Sequence, residues 1–168
     1  TAADAEPIGR LQTRAWRRAY AGVLPDEVVA AFDPEAFAAS WRAAVTQPPS
    51  PRHRVLVACE RDEVVGLAAQ TPAADQDRSP ETDAELQTLL VDPDALGRGH
   101  GSRLLAAAVD TMRADGFRTA VTWLLSNDDR LRAFLVGAGW DADGAHRDLD
   151  PDAGSPLLHQ VRLHTDLS

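Results

Sequence analysis

Apolar residues recur at helical spacing from the first turn of the chain. Ile8, Leu11, Ala15 and Tyr20 predict a helix over residues 5–20, with Asp4 as N-cap and Pro7 tolerated in the first turn. Gly22 and Pro25 end it. Helical patterns also cover 26–32 and 34–46, and the run Gln47-Pro48-Pro49-Ser50-Pro51 cannot continue the last of them. The period then falls from 3.6 to 2. Residues 55–60 and 64–70 read as the strands of a hairpin about Arg61-Asp62-Glu63. The polar stretch 71–82, with two prolines, is a loop, and 84–91 is a third strand ending at Asp92-Pro93. A helix over 102–114 places Leu104, Leu105, Ala108 and Met112 on one face and stops at Asp115-Gly116. A buried strand over 119–125, a helix over 128–136 closed by Gly137–Gly139, and short strands at 141–147 and 157–164 complete a mixed α/β chain. Trp16, Phe37 and Trp41 fall on helix faces as packing residues, and Cys59 and Trp123 on strands as core residues.

Composition narrows the class. A chain of 168 residues, 44% hydrophobic and 26% charged, fits one soluble domain spanning residues 1–168. No apolar run approaches the roughly 20 residues that span a bilayer, and no basic-then-apolar segment opens the chain, so neither membrane association nor a signal peptide is expected. One cysteine excludes an internal disulfide and fits a reducing compartment, with the cytoplasm the expected location. A formal net charge of -9 disfavours nucleic acid as a partner and mildly favours a cationic substrate such as an amine. All 17 basic residues are arginine, which suggests a GC-rich, bacterial genome and says nothing about chemistry.

The informative segment joins the third strand to the 102–114 helix: Gly97-Arg98-Gly99-His100-Gly101-Ser102. Alternate glycines at a strand-to-helix junction let the backbone approach a ligand while the first helical N–H groups point at it. The helix dipole adds to this, giving a place for a phosphate or pyrophosphate. Glycine spacing alone leaves a tight turn without a ligand equally open. A Walker loop requires a lysine, which the chain lacks, and a dinucleotide fingerprint requires a third glycine where Ser102 stands.

The stretch AELQTLLVDPDALGRGHGSRLLAAAV resembles the fourth strand, pyrophosphate loop and following helix of the GNAT superfamily of acetyltransferases. RLQTRAWRRAYAGVLPDEVVAAF is similar to the first helix and loop of one bacterial branch, VTWLLSNDDRLRAFLVGAGW to the fifth strand and last helix, and LLHQVRLHTDL to the final strand. The resemblance implies a mostly antiparallel sheet flanked by helices, its fourth and fifth strands parallel and splayed at the cofactor. It implies acetyl-coenzyme A as co-substrate, no metal, and a small-molecule amine or a peptide as acceptor, with a homodimer left open. Leu89, Leu90 and Val91 would then bond the pantetheine arm through their backbone, and the loop from Leu96 through Gly97, Arg98, Gly99, His100 and Gly101 to Ser102 would hold the pyrophosphate, with Arg98 also pairing a phosphate. Asn127 would touch the cofactor, although its position also suits a helix N-cap.

Two departures stand out. Leu96 occupies a place where the family usually carries Gln or Arg. The tyrosine that often protonates the departing thiolate falls on Phe134 or Leu135, and neither can donate a proton. Tyr20, the one tyrosine, or water would serve instead. Glu85, at the start of the cofactor-binding strand and alternating with Leu89 and Val91, is the candidate base for an amine acceptor, weighed against a plain strand-end carboxylate. The competing readings are a non-catalytic acyl-coenzyme A sensor and, on the glycine loop alone, a nucleotide-binding regulatory module.

Overall fold

A computed structural model describes residues 1–151 and 155–168. In chain order it contains α1 (Ala5–Tyr20), α2 (Asp26–Ala30), α3 (Pro34–Thr46), β1 (Arg54–Glu60), β2 (Glu63–Pro72), β3 (Asp83–Val91), α4 (His100–Ala114), β4 (Thr119–Leu125), α5 (Asp129–Gly137), β5 (Asp141–Leu149) and β6 (Leu158–Asp166). Single 3₁₀ turns cover Ala2–Asp4 and Pro93–Ala95. The six strands lie in the order β1-β2-β3-β4-β6-β5. β1–β2, β4–β6 and β5–β6 are antiparallel, and β3–β4 is parallel. The expected mixed fold with a mostly antiparallel sheet is what the chain adopts. The parallel ladder has three registered pairs, from Asp83↔Thr119 to Glu85↔Val121, and stops there. No helix among the described residues is long and apolar enough to cross a membrane.

The chain forms two compact units, one of Thr1–Gln70 with Thr88–Ala108, the other of Thr71–Gln87 with Val109–Ser168. In the first, Ile8 and Leu11 of α1 and Leu67 of β2 are fully buried, with Trp41, Val55, Val57, Val64 and Leu90 packed on them. Gln12 is also buried there, and accepts a hydrogen bond of 2.6 Å from the Trp41 indole, so its burial costs little. Trp16, Tyr20, Phe32 and Phe37 meet edge-on or tilted at centroid distances of 5.2–6.2 Å. The β1–β2 turn places Arg61 and Asp62 at φ 49° and 70°, the left-handed pair that matches the twist of a two-residue hairpin.

In the second unit, Met112 of α4, Ala120, Val121 and Leu124 of β4, Leu135 of α5, Trp140, and Leu163 of β6 are buried. The chain end is tied in by Arg113, whose Nε donates to the Leu167 carbonyl at 2.9 Å.

Two readings need correction. Asp4 caps no helical N–H of α1; its carboxylate takes the terminal ammonium and the Thr1 hydroxyl instead. Cys59 is exposed on β1, beside a register shift between Ala58 and Cys59, because the irregularity breaks the alternation that would have turned it inward.

Gly9 marks the closest approach of α1 to α3. A Cβ there would collide with the Pro34 carbonyl oxygen and lie 2.8 Å from the Ala38 nitrogen, both backbone atoms that cannot swing aside. Gly9→Ala should therefore destabilise the chain by about 1–3 kcal/mol despite alanine's better helix propensity. Urea denaturation would show the midpoint falling; an unchanged or higher midpoint would mean the two helices separate freely.

Candidate functional site

The glycine loop begins at Asp92, 7% exposed, whose carboxylate does two jobs. One oxygen accepts from the Asp94 N–H at 3.0 Å, capping the 3₁₀ turn, and the other takes the Arg14 guanidinium. Burial acts to raise this carboxyl's pKa, but the Asp94 N–H and Arg14 together outweigh it and hold the group below its ordinary value. Gly97 and Gly99 follow at φ 76° and 80°, conformations that side chains rarely adopt. A Cβ at either would meet nothing within 4 Å and would project into open space.

α4 starts at His100, two residues before the position expected from its apolar pattern. The Arg103 N–H bonds the Gly99 carbonyl at 3.1 Å, which leaves the N–H groups of His100, Gly101 and Ser102 ahead of the first helical bond. Open space, left-handed glycines and three N–H groups ahead of the first helical bond fit a pyrophosphate. The side chains of the loop face elsewhere. Arg98 donates to Glu60 at 3.0 Å and to the Asp94 carbonyl at 3.1 Å. His100 is 5% exposed, with Nδ1 3.1 Å from Arg103 and Nε2 3.4 Å from Glu60, the latter outside hydrogen-bonding geometry. Backbone, not side chain, is thus what the loop offers to an anion. Leu89, Leu90 and Val91 are half-buried at the end of β3, and Leu96 is extended just before Gly97.

Glu85 belongs to the second unit. Registered neighbours in a sheet share a face, so Glu85↔Val121, Val121↔His164 and Trp123↔Arg162 place Glu85, His164, Trp123 and Arg162 on one side. Arg162, only 4% exposed, carries three carboxylates: Asp75 at 2.8 Å, Asp143 at 2.7 Å, and Asp77, bonded through two guanidinium nitrogens. Arg78 adds a bond to Asp143 at 2.6 Å. The Trp123 indole donates to Asp75 at 3.1 Å and lies 4.2 Å beneath the Arg147 guanidinium. Glu85 itself is half-buried. Burial first, then the charge of Asp75, raises its pKa, and Arg147 and Arg162 oppose the rise.

Asn127 is exposed, and the cap of α5 is its neighbour Asp128, whose carboxylate accepts from Leu131 N–H at 3.0 Å. The capping explanation of Asn127 is therefore removed. Leu135 is buried and Phe134 half-buried, so α5 has no proton donor at the place where the family often has one. Tyr20 stacks edge-on against Trp16 and Phe32.

The model of the acetyltransferase (GNAT) family matches residues 12–139. The chain belongs to that family. Among solved structures, the PaiA N-acetyltransferase of Thermoplasma acidophilum, in complex with coenzyme A, is 16% identical over 99% of this chain and 94% of its own, with a TM-score of 0.73. YncA, a putative acetyltransferase of Salmonella typhimurium with acetyl-coenzyme A, is 20% identical over 100% and 91%, at 0.71. A ribosomal-protein-alanine N-acetyltransferase of Brucella melitensis is 18% identical over 99% and 96%, at 0.72. At such identities the likeness is one of fold. No curated protein is significantly similar in sequence.

In this GNAT acetyltransferase the group that sequence reasoning missed is the Arg162 cluster. The available signal was an arginine between Val161 and Leu163 in an otherwise apolar strand centre. The hydrogen bonds of Arg162 hold the Asp77 carboxyl at about 2, against an ordinary value of 3.8. The depressed value means that this pairing stabilises the fold above pH 3.8 and that its contribution fades as pH falls through about 2. In Arg162→Gln the Asp77 midpoint, followed by carbon NMR of the side-chain carboxyl, should rise toward the ordinary value. A midpoint that stays near 2 would place its cause outside Arg162.

Proposed function

We propose that this GNAT acetyltransferase moves the acetyl group of acetyl-coenzyme A to a primary amine of a small molecule or of a protein N-terminus, by direct attack in a ternary complex. The observation that carries this reading is the backbone cradle of Gly97, Gly99 and the first turn of α4 opening onto free space. The thioester supplies an acyl group already activated toward nitrogen. The N–H groups of His100, Gly101 and Ser102 would hold the pyrophosphate and the backbone of Leu89–Val91 the pantetheine arm, and Asn127, unneeded as a cap just before α5, is a further candidate cofactor contact. Glu85 accepts the proton that the amine must lose, directly or through a water, and its raised pKa brings it nearer to the working pH. Tyr20 returns a proton to the departing sulfur. A thiol is a tolerable leaving group at about pKa 8.5, so this last step tolerates a weak donor. The neighbours in fold, which include an N-acetyltransferase and a ribosomal-protein-alanine N-acetyltransferase, support an amine acceptor without choosing one.

The apolar Phe134 and Leu135 favour a second reading, a non-catalytic acyl-coenzyme A sensor. Thiol release over a panel of amines separates the two, since only an enzyme turns over.

For the cofactor, acetyl-coenzyme A at one hundred times its dissociation constant should stabilise the wild type by about 2.7 kcal/mol. Gly99→Val should lose that stabilisation by filling the anion's space and straining a left-handed residue. An unshifted melting temperature in the wild type would end the reading.

For the proton path, Glu85→Gln should lower turnover by roughly 10²–10⁴-fold near neutral pH, with cofactor affinity nearly unchanged and part of the rate recovered at high pH. In the wild type, the rate should fall on the acid side at a pH above the ordinary glutamate value, because the base pKa is raised. Tyr20→Phe, which keeps the ring and its packing, should lower turnover without this change of profile. Equal pH–rate profiles for wild type and Glu85→Gln would remove Glu85 from the mechanism.

A further inference from the structure

Glu85 faces charges from every element beside it. Asp83 precedes it by two residues on β3, Asp75 comes from the 73–82 loop between β2 and β3, Asp141, Asp143 and Arg147 from β5, and Arg162 and His164 from β6. Most of these are neutralised within the Arg162 cluster or held by local bonds. Asp83, for example, caps the preceding turn by accepting from the Ser79 N–H at 3.0 Å. Within the cluster itself, three carboxylates (Asp75, Asp77, Asp143) surround two guanidiniums (Arg78, Arg162), leaving one negative charge uncompensated.

Two of the charged groups are immobilised on the same indole. Asp75 Oδ2 receives both the Trp123 Nε1–H at 3.1 Å and the Arg162 Nη1–H at 2.8 Å, so a residue of a long polar loop is fixed at the ring's edge. Arg147 lies over the ring's face at 4.2 Å while its Nε donates to Gln160 Oε1 at 2.8 Å. Trp123 lies on the same sheet face as Glu85, one registered row further along β4.

We propose that Asp75 and Arg147, clamped to the edge and face of Trp123, are positioning residues that present Glu85 with two fixed and opposed charges. This deepens the reading of Glu85 as the base and rests on it. Asp75 makes protonation of Glu85 easier and Arg147 makes it harder, and the balance decides at which pH the carboxylate is ready to take a proton. Trp123 supplies the rigid frame, since an indole with its N–H bonded and one face covered by a guanidinium has little freedom to turn.

The test is a carbon NMR titration of the Glu85 side-chain carboxyl in the full chain, its signal assigned by its loss in Glu85→Gln. Asp75→Asn keeps an oxygen for both donors and removes only the charge, and should lower the Glu85 midpoint by about half a unit to one unit. Arg147→Gln should raise it by a similar amount. Shifts of opposite sign are what a merely structural role would not produce. Should Asp75→Asn fail to fold, the Arg147→Gln shift decides alone. A midpoint unmoved by Arg147→Gln, or unmoved or raised by Asp75→Asn, overturns the inference. A pH–rate profile separates the two levels. If Glu85→Gln alters the profile but the two charge variants leave the Glu85 midpoint where it was, only this inference fails. If Glu85→Gln leaves the profile unchanged, the base reading fails and takes this inference with it.

Discussion

A guanidinium with 4% of its surface exposed has to be neutralised where it stands, and the second unit is arranged around that requirement at Arg162. Removing an ion from water costs of order several kcal/mol even after relaxation, and only well-placed opposite charges and hydrogen bonds recover it. Asp75, Asp77 and Asp143 do so from two segments, so the polar 73–82 loop and β5 are held to the same side chain of β6. Each donor of the guanidinium fork that is engaged fixes an acceptor's position as well as its charge. The pairing consequently gives geometric order to a loop that contains no apolar anchor of its own beyond its first residues. Trp123 and Arg147 then stack upon that order.

Elements with a strong period were legible from the residues alone. α1 and α3 match in both bounds, as does β4; in α1 Ile8, Leu11 and Ala15 leave little choice of face, and β4 is buried on both faces through Ala120, Val121 and Leu124. The start of α4 was not legible. His100 and Gly101 fall before the apolar stripe begins, and the first turn of a helix asks for no particular side chain on its inner face. β5 and β6 run two residues beyond their expected ends, where Asp148 and Leu149 pair with β6 and Thr165 and Asp166 with β4. The choice of Asp128 over Asn127 as cap could not be read from two adjacent residues that both cap well.

The candidate site divides in the same way. A glycine loop before a helix is a local motif, so Gly97 and Gly99 were identifiable by spacing, and their left-handed backbone follows from it. The ion-pair cluster joins Arg162 to residues 85 and 87 positions away, a separation at which spacing carries no information. Arg98 carries bonds that its place in the loop did not reveal, since it donates in the fold to Glu60, 38 residues away, and to the Asp94 carbonyl. Glu85 was found through resemblance and strand alternation, but its raised pKa comes from burial and from a loop residue that alternation cannot reveal.

The arginine-only basic content has a chemical consequence for an acetyltransferase. Every side-chain cation of this chain, from Arg14 on Asp92 to Arg147 on Trp123, is a guanidinium that stays protonated at any physiological pH and offers no lone pair for acylation. A lysine in any of these places would be an amine open to acylation, and its acetylation would erase the charge it contributes. With no ε-amino group anywhere in its sequence, the enzyme cannot acylate a side-chain amine of its own. The ion pairs made by its arginines are therefore immune to acyl transfer.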